Sequence, residues 1–199
     1  RRASVFPQGD RVVTRGKDAA TIVWDVATGK MVCKVCATVS QEGSGIGEWL
    51  LDEGVEIFPA GDRLLTWGRE SWATVWDART GAALCTLNRH ASFVTVAKVF
   101  PDGERIVTGG VDCKAIIWNA STCQALRVFL HLHRVTDVAV LEGGRFVATA
   151  SSNGWTTLWD AMSGTRSRRL MEPRGFRMKH TAGLFPFPAG DRLASFNEA

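Results

Sequence analysis

The sequence predicts an all-β chain in which a small antiparallel sheet of four strands is repeated. The first observation is a tryptophan followed by Asp or Asn, which recurs at separations of 52, 42 and 41 residues. The second is that a β-branched, apolar run ends at each tryptophan and a turn sequence follows it. The third is that no segment has the periodicity of an amphipathic helix. The four dipeptides are Trp24-Asp25, Trp76-Asp77, Trp118-Asn119 and Trp159-Asp160. Such a period indicates one supersecondary unit copied and stacked, since one unit cannot bury its own apolar faces.

A second recurring phrase defines the first turn and the second strand of each unit. Pro and Gly followed by Asp or Glu predict a tight turn, and residues such as Val12 and Val13 after it are typical of a strand. The phrase occupies residues 6–14, 58–66, 100–108, 141–149 and 185–195. The third strand ends at the tryptophan, and the fourth follows a turn of the Thr-Gly type. Sheets of four short strands repeated radially are the blades of a β-propeller.

Polar residues recur in register with the tryptophans. A Thr stands ten residues before each Trp, a polar turn residue stands six before it, and two units carry a His thirteen residues before the turn glycine. In these registers the chain resembles the WD-repeat (WD40-type) β-propeller family over nearly its whole length. The resemblance implies a buried hydrogen-bonded network of His, Thr, Asp and Trp within a blade. The implied sets are His90, Thr108, Asp112 and Trp118; His131, Thr149, Asn153 and Trp159; Thr14, Asp18 and Trp24; and Thr66, Glu70 and Trp76.

A network of this kind satisfies polar groups that would otherwise be buried without partners. A buried indole N–H needs an acceptor, and a Thr hydroxyl can accept from it while donating to a His nitrogen. The other His nitrogen can donate to Asp. Because the set recurs in several units that share no single point of convergence, we interpret these His and Asp residues as structural and not catalytic.

The predicted organisation is an array of about four and a half blades. The blades span residues 1–36, 50–88, 92–130 and 135–171, with a partial blade at 181–199 and an inserted loop at 38–49. The second blade carries Glu48 where the His would fall. Because such an array leaves apolar faces uncovered, we expect an incomplete or open arc of a larger propeller, with the remaining blades in the same or another chain. A small four-bladed ring with the last segment packed beside it is the alternative.

The five cysteines are interpreted as structural. Their odd number disfavours a closed disulfide framework. Cys33 and Cys36 are three residues apart, so on a strand they lie on opposite faces and cannot bind one metal ion. Cys85 follows its Trp by nine residues, as Cys33 does, and is expected to be a small apolar filler. A reducing location in the cytoplasm or nucleus is expected from this use of cysteine.

Composition narrows the function classes. Of the 199 residues, 45% are hydrophobic and 22% charged, which is typical of a folded domain and not of a disordered chain. The net charge of +4 fits either a solvated basic surface or an anionic partner. No nucleophile stands beside a base and no metal-ligand cluster is evident, so we expect no enzyme, no cofactor and no metal.

The resemblance implies a docking face formed by the loops between second and third strands and between successive blades. We predict a non-enzymatic scaffold that docks a peptide or protein there, because Arg and aromatic residues favour protein contacts. Binding of RNA or another polyanion is the alternative. The basic segment 165–180 is either a solvated edge or an anion-contacting surface. The residues placed on or near the docking face are Lys17, Arg69, Trp72, Arg89, Lys114, Arg134, Trp155, Arg174, Arg177 and Lys179.

Overall fold

The predicted all-β fold class is confirmed. The computed structural model describes residues 2–16, 20–36, 54–170, 181–186 and 193–197. Within these ranges the chain forms four sheets of four strands, one sheet of two strands and a short 3-10 turn at Glu142–Gly144. Consecutive strands are neighbours in each sheet, so every sheet is an antiparallel meander. The inserted loop at 38–49 lies outside the described residues.

The strands fall into five consecutive sheets. The first sheet contains β1 (Arg2–Val5), β2 (Arg11–Arg15), β3 (Ala20–Asp25) and β4 (Met31–Cys36). The second contains β5 (Gly54–Ile57), β6 (Arg63–Trp67), β7 (Ala73–Asp77) and β8 (Ala83–Leu87). The third contains β9 (Val94–Val99), β10 (Arg105–Gly110), β11 (Lys114–Asn119) and β12 (Ala125–Leu130). The fourth contains β13 (Val135–Leu141), β14 (Phe146–Ser151), β15 (Thr156–Asp160) and β16 (Arg166–Leu170). The fifth contains β17 (Thr181–Pro186) and β18 (Leu193–Asn197).

Each sheet packs face to face on the next. Between the second and third sheets, Phe58, Leu65 and Leu87 are buried with Ile106 and Trp118. Similar clusters join the first sheet to the second, the third to the fourth, and the fourth to Leu184 of the fifth. Burial of these apolar faces is what stacks the sheets. The sheets form an open arc, as predicted, and the described part of the chain does not close into the alternative four-bladed ring.

The Asp or Asn after each tryptophan stabilises the turn that follows it. Its side-chain oxygen accepts a hydrogen bond from the backbone N–H three residues later, at 2.7–2.8 Å in all four sheets. The residue pairs are Asp25 with Thr28, Asp77 with Thr80, Asn119 with Thr122, and Asp160 with Ser163. The Trp-Asp or Trp-Asn dipeptide therefore combines a buried or half-buried ring with the acceptor of an Asx-type turn. The register between the third and fourth strands also shifts beside each tryptophan, which is a β-bulge.

An arginine at the start of the second strand links adjacent sheets. The Arg63 guanidinium lies 4.3 Å from the centre of the Phe58 ring in its own sheet. Its Nη2 donates to the carbonyl oxygen of Gly103, in the first turn of the third sheet, at 3.1 Å. Arg11 repeats the arrangement, with Phe6 at 4.3 Å and a 2.8 Å hydrogen bond to Gly61 of the second sheet. The recurring Phe-Pro-x-Gly-Asp-Arg phrase thus forms a clamp between sheets as well as a turn.

The interpretation of Cys85 as an unbonded apolar filler is wrong. Cys85 on β8 forms a disulfide with Cys123, which lies in the turn between β11 and β12. Their Cα atoms are 6.2 Å apart, within the range for disulfides. The odd cysteine count missed this bond because pairing depends on proximity between sheets, which spacing along the chain does not show. Cys33 and Cys113 are unbonded, and the side chain of Cys36 lies outside the described residues.

Within the described ranges, no helix has the length and apolar character needed to cross a membrane.

Candidate partner-binding face and its buried networks

The third sheet holds a continuous hydrogen-bonded network next to the loop face. His90 lies in the connection from β8 to β9, Thr108 on β10 and Trp118 on β11. Trp118 Nε1 donates to Thr108 Oγ1 at 2.8 Å, and Thr108 Oγ1 lies 2.8 Å from His90 Nε2. His90 Nδ1 lies 2.8 Å from Asp112 Oδ1, in the turn between β10 and β11. The structure brings all four of these sequence-predicted residues together.

The chemistry of the partners determines the proton positions in this network. Thr108 has one hydroxyl hydrogen, and since its oxygen accepts from Trp118, it can donate to His90 Nε2. His90 is then the neutral Nδ1–H tautomer and donates to Asp112. Burial holds the pKa of His90 below its ordinary value, although the hydrogen bond to Asp112 and that carboxylate's charge oppose the shift. The network therefore favours a neutral imidazole at neutral pH.

Asp112 also joins the network to two loops. Its Oδ2 accepts from the backbone N–H of Ala91 at 3.0 Å, and its Oδ1 accepts from the N–H of Lys114 at 3.3 Å. A Cβ atom at Gly110 would lie 2.7 Å from both His90 Nδ1 and Asp112 Oδ1, so glycine leaves the space for this pair. The network thus fixes the inter-sheet connection against the second turn, and both belong to the loop face.

The pair of Trp and Thr recurs in every four-stranded sheet. The indole Nε1 donates to the Thr Oγ1 at 2.8 Å in each of them. The pairs are Trp24 with Thr14, Trp76 with Thr66, Trp118 with Thr108, and Trp159 with Thr149. Because the two residues lie on adjacent strands, this bond ties the second strand to the third in each sheet.

The fourth sheet brings its predicted set together only in part. Trp159 donates to Thr149, but His131 Nδ1 lies 3.4 Å from Ser151 Oγ, and the buried Nε2 has no partner among the described residues. The Asn153 side chain instead accepts from the backbone N–H of Trp155 at 3.3 Å. A neutral Asn that caps its own turn does not replace the carboxylate acceptor of the third sheet. Burial lowers the pKa of His131 to about 4.

Asp18 and Glu70 are the remaining predicted network residues. Asp18 lies outside the described residues. In the second sheet the backbone carbonyl of Glu70 accepts from the N–H of Val94 at 2.9 Å, which ties the second turn to the start of the third sheet.

The candidate partner-binding residues have unequal exposure. Arg69 and Arg89 are exposed, whereas Trp72, Lys114, Arg134 and Trp155 are half-buried. The half-buried ring of Trp155 lies under the guanidinium of Arg169, with Cζ 3.6 Å from the ring centre. Four of these candidates lie outside the described part of the chain: Lys17, Arg174, Arg177 and Lys179. The whole of the basic segment after Leu170 also lies outside it.

Two exposed leucines on the same face were missed by sequence reasoning. Leu130 is 71% exposed at the end of β12, and Leu132 is 87% exposed in the connection from β12 to β13, so the two flank His131. Leu and His alternate at residues 130–133, but this alternation predicts that the fourth strand continues and does not predict an exposed surface. The two exposed leucines and the half-buried Arg134 are together called the 130–134 strip below.

A groove of about 730 Å³ lies on the opposite face, between the third and fourth sheets. Its walls come from the first turn and from the turn after the tryptophan, which lie at the other end of the sheets. Its charged groups compensate one another: Arg105 Nη2 lies 2.8 Å from Asp102, and Arg145 Nη1 lies 3.4 Å from Glu142. No group of three His, Cys, Asp or Glu side chains suited to a metal ion occurs among the described residues.

Repeated four-stranded meanders stacked in an arc, each with a Trp–Thr bond, define the class of β-propeller repeat proteins. The family model described as "WD domain, G-beta repeat" matches residues 81–119 and 123–160. The chain therefore contains two WD repeats in these ranges, and its four-stranded antiparallel sheets are consistent with a partial WD propeller. No match was found among curated proteins.

The matched repeats are offset from the sheets by one strand. Residues 81–119 contain β8 of the second sheet and β9 to β11 of the third, and residues 123–160 contain β12 and then β13 to β15. Each sequence repeat therefore supplies strands to two sheets. Neighbouring sheets are in this way connected covalently within one repeat.

Proposed function

We propose that this chain is a non-enzymatic scaffold that docks a peptide or protein partner on its loop face. WD repeats generally mediate protein–protein interactions. The observation that carries the proposal is the 130–134 strip, where two strongly exposed leucines, one at the end of β12 and one in the connection after it, lie near Arg134. Exposed apolar side chains that lie together mark interaction sites, and Arg is among the residues enriched at binding hot spots.

A matched pair of variants tests the choice of face. Leu132→Asp places a charge in the 130–134 strip, and Met162→Asp places the same charge on an exposed residue of the opposite face. Peptides selected from a displayed random library against the unmodified chain serve as probes, and their affinities are measured by fluorescence anisotropy. We expect Leu132→Asp to weaken binding by about tenfold or more and Met162→Asp to leave it unchanged. Equal effects of the two variants, or loss only with Met162→Asp, would refute docking on the loop face.

RNA or another polyanion is the second candidate, and one observation favours it. Trp155 stacks under Arg169, and Arg166 and Arg168 on the same strand are exposed. A ring beside a cation can stack a base, and further exposed cations on the same strand can neutralise phosphates. This candidate predicts that binding of single-stranded RNA falls steeply with salt, and that charge reversal of Arg69, Arg134 and Arg177 weakens it. RNA retention that does not change with salt would contradict it.

The proposal includes two statements about context. The remaining blades of the propeller, in the same or another chain, pack on the exposed face of the first sheet, where Val5 is 64% and Met31 is 56% exposed. The protein acts inside the cell, in the cytoplasm or the nucleus. Fractionation of cells that express the full-length protein tests the second statement, and recovery in the secreted fraction would contradict it.

A further inference from the structure

Three equivalent interfaces place the same two positions against each other. One position is on the fourth strand, nine residues after the tryptophan, and the other is the left-handed residue of the turn after the next tryptophan. The pairs are Cys33 with Gly81, Cys85 with Cys123, and Arg127 with Gly164. A Cβ atom built at Gly81 would lie 3.3 Å from Cys33 Cβ, and one built at Gly164 would lie 3.0 Å from Arg127 Cδ. These two positions therefore form a recurring contact at the rim of adjacent sheets. Of the three pairs, only the middle one consists of two cysteines.

The backbone at Cys123 is unusual for a residue with a side chain. Its φ is 56°, whereas the corresponding residues of the other three turns are glycines with φ of 65°, 75° and 77°. Glycine adopts this region freely, and other residues rarely do. Cysteine here gives up the backbone freedom of glycine and gains a bond to the neighbouring sheet.

We propose that the Cys85–Cys123 disulfide is a redox latch that fastens the rim of the second sheet to the third. It joins β8 to the turn before β12, beside the buried cluster that contains Leu87 and Trp118. Both cysteines are half-buried, so a small thiol can reach the bond. When the bond is broken, β8 and β12 keep only noncovalent contacts at this rim.

The reaction that opens the latch is thiol–disulfide exchange. A thiolate of a dithiol reductant attacks one sulfur, the S–S bond breaks, and the other cysteine leaves as a thiolate that takes a proton. The second thiol of the reductant then attacks the mixed disulfide, which releases the other cysteine. Two electrons and two protons pass to the protein, and the reductant is oxidised to its cyclic disulfide. Closing the latch is the reverse, with a disulfide such as oxidised glutathione as the acceptor of the electrons.

The experiment compares the oxidised chain with the same chain treated with dithiothreitol. Peptide mapping without reduction identifies the Cys85–Cys123 cross-link. Thermal unfolding and amide exchange over residues 83–87 and 125–130 then measure its effect on the rim. We expect reduction to lower the Tm by about 5 °C or more and to speed exchange in both segments, since the bond closes a loop of intermediate length.

Two variants and one control separate a latch from a general effect of the reductant. Cys85→Ser removes one sulfur, and Cys123→Gly removes the other while installing the residue that the equivalent turns use. Both should match the reduced wild type and show no response to dithiothreitol. Cys113→Ser removes an unbonded, half-buried thiol and should respond as the wild type does. Absence of the cross-link overturns the proposal, as does a cross-link whose reduction changes neither Tm nor exchange, or an undiminished response in Cys123→Gly.

Discussion

At the level of single residues, one hydroxyl group connects two strands of the third sheet with two of its loops. Thr108 is fully buried and bonds both Trp118 and His90, whose ring in turn bonds Asp112. The residue types follow from donor and acceptor counting, because each buried group finds one partner of the opposite kind. In the fourth sheet the same counting leaves His131 Nε2 without a protein partner in the described region.

Replacing Thr108 with Val measures the contribution of this hydroxyl. The substitution keeps the shape of the side chain but leaves the indole N–H of Trp118 without its acceptor. We expect the free energy of unfolding to fall by about 1–3 kcal/mol, as measured by urea denaturation. The control is Thr86→Val on β8, an exposed Thr for which the change should stay within about 0.5 kcal/mol. Equal stability of Thr108→Val and the unmodified chain would show that the network contributes nothing to folding.

Acidification is expected to destabilise the chain well before its carboxylates are protonated. The pKa of His90 and that of His131 are both lowered by burial, the second to about 4, whereas an unfolded His has a pKa near 6.5. Between these pKa values the unfolded state binds more protons than the folded state. The stability that depends on neutral His90 and His131 is therefore complete above about pH 6.5 and is lost as the pH falls towards 4. The urea concentration at the unfolding midpoint should be highest at pH 7.5, lower at pH 6.0 and lowest at pH 5.0.

A pair of His variants identifies the source of this pH dependence. His131→Gln should flatten it, and His133→Gln should not, because His133 is exposed. Hydrogen bonds from their turns lower the pKa values of Asp25, Asp77 and Asp160. Protonation of these carboxylates therefore affects stability only below about pH 4. Identical midpoints from pH 7.5 to 5.0 in the unmodified chain would contradict the assignment.

At the level of elements, the first turn has two roles in the second sheet and again in the third. It reverses the chain between the first and second strands, and its carbonyl groups accept from the arginine of the preceding sheet. The Phe of the same phrase is buried under its own Arg, which aligns the guanidinium. The Arg in this phrase is therefore a link between sheets, which its position in a single unit does not reveal.

The clamp predicts that Arg63 cannot be replaced by Lys without loss. Lys keeps the charge but lacks the planar group that stacks on Phe58 while donating to Gly103. We expect Arg63→Lys to lower the free energy of unfolding by about 1 kcal/mol or more. Arg79→Lys, at an exposed turn position, is the matched control and should have almost no effect. Similar values for the two variants would show that the clamp does not stabilise the interface.

At the level of the whole molecule, the arc exposes a face that is buried elsewhere in the repeat. On the first sheet Val5, Val12, Trp24 and Met31 form one row of cross-strand neighbours. Its ends are exposed, and Val12 and Trp24 are half-buried. The corresponding row on the third sheet has Ile106 and Trp118 at its centre, which are 0% and 2% exposed because the second sheet covers them. The row on the first sheet therefore has the composition of a sheet-packing surface.

This exposed row predicts self-association of the isolated 199-residue chain. A double change, Val5→Lys with Met31→Lys, adds charge to the row and should reduce the concentration dependence of the mass measured by sedimentation. Met162→Lys, also at an exposed apolar residue but in a turn, should behave as the unmodified chain does. A chain that stays monomeric at all concentrations, or that associates equally with the double change, would contradict this role.

The sequence by itself determined the strands, the turns and the repeated Trp–Thr pairs, because these depend on local alternation and on spacing within one unit. The tertiary structure alone decided which residues of different units meet: the Cys85–Cys123 bond, the arginine clamps, and the divergence of His131 from the arrangement around His90. These contacts depend on how far one sheet is rotated and shifted against the next. That geometry is set by side-chain packing across the whole interface, and no spacing along the chain records it.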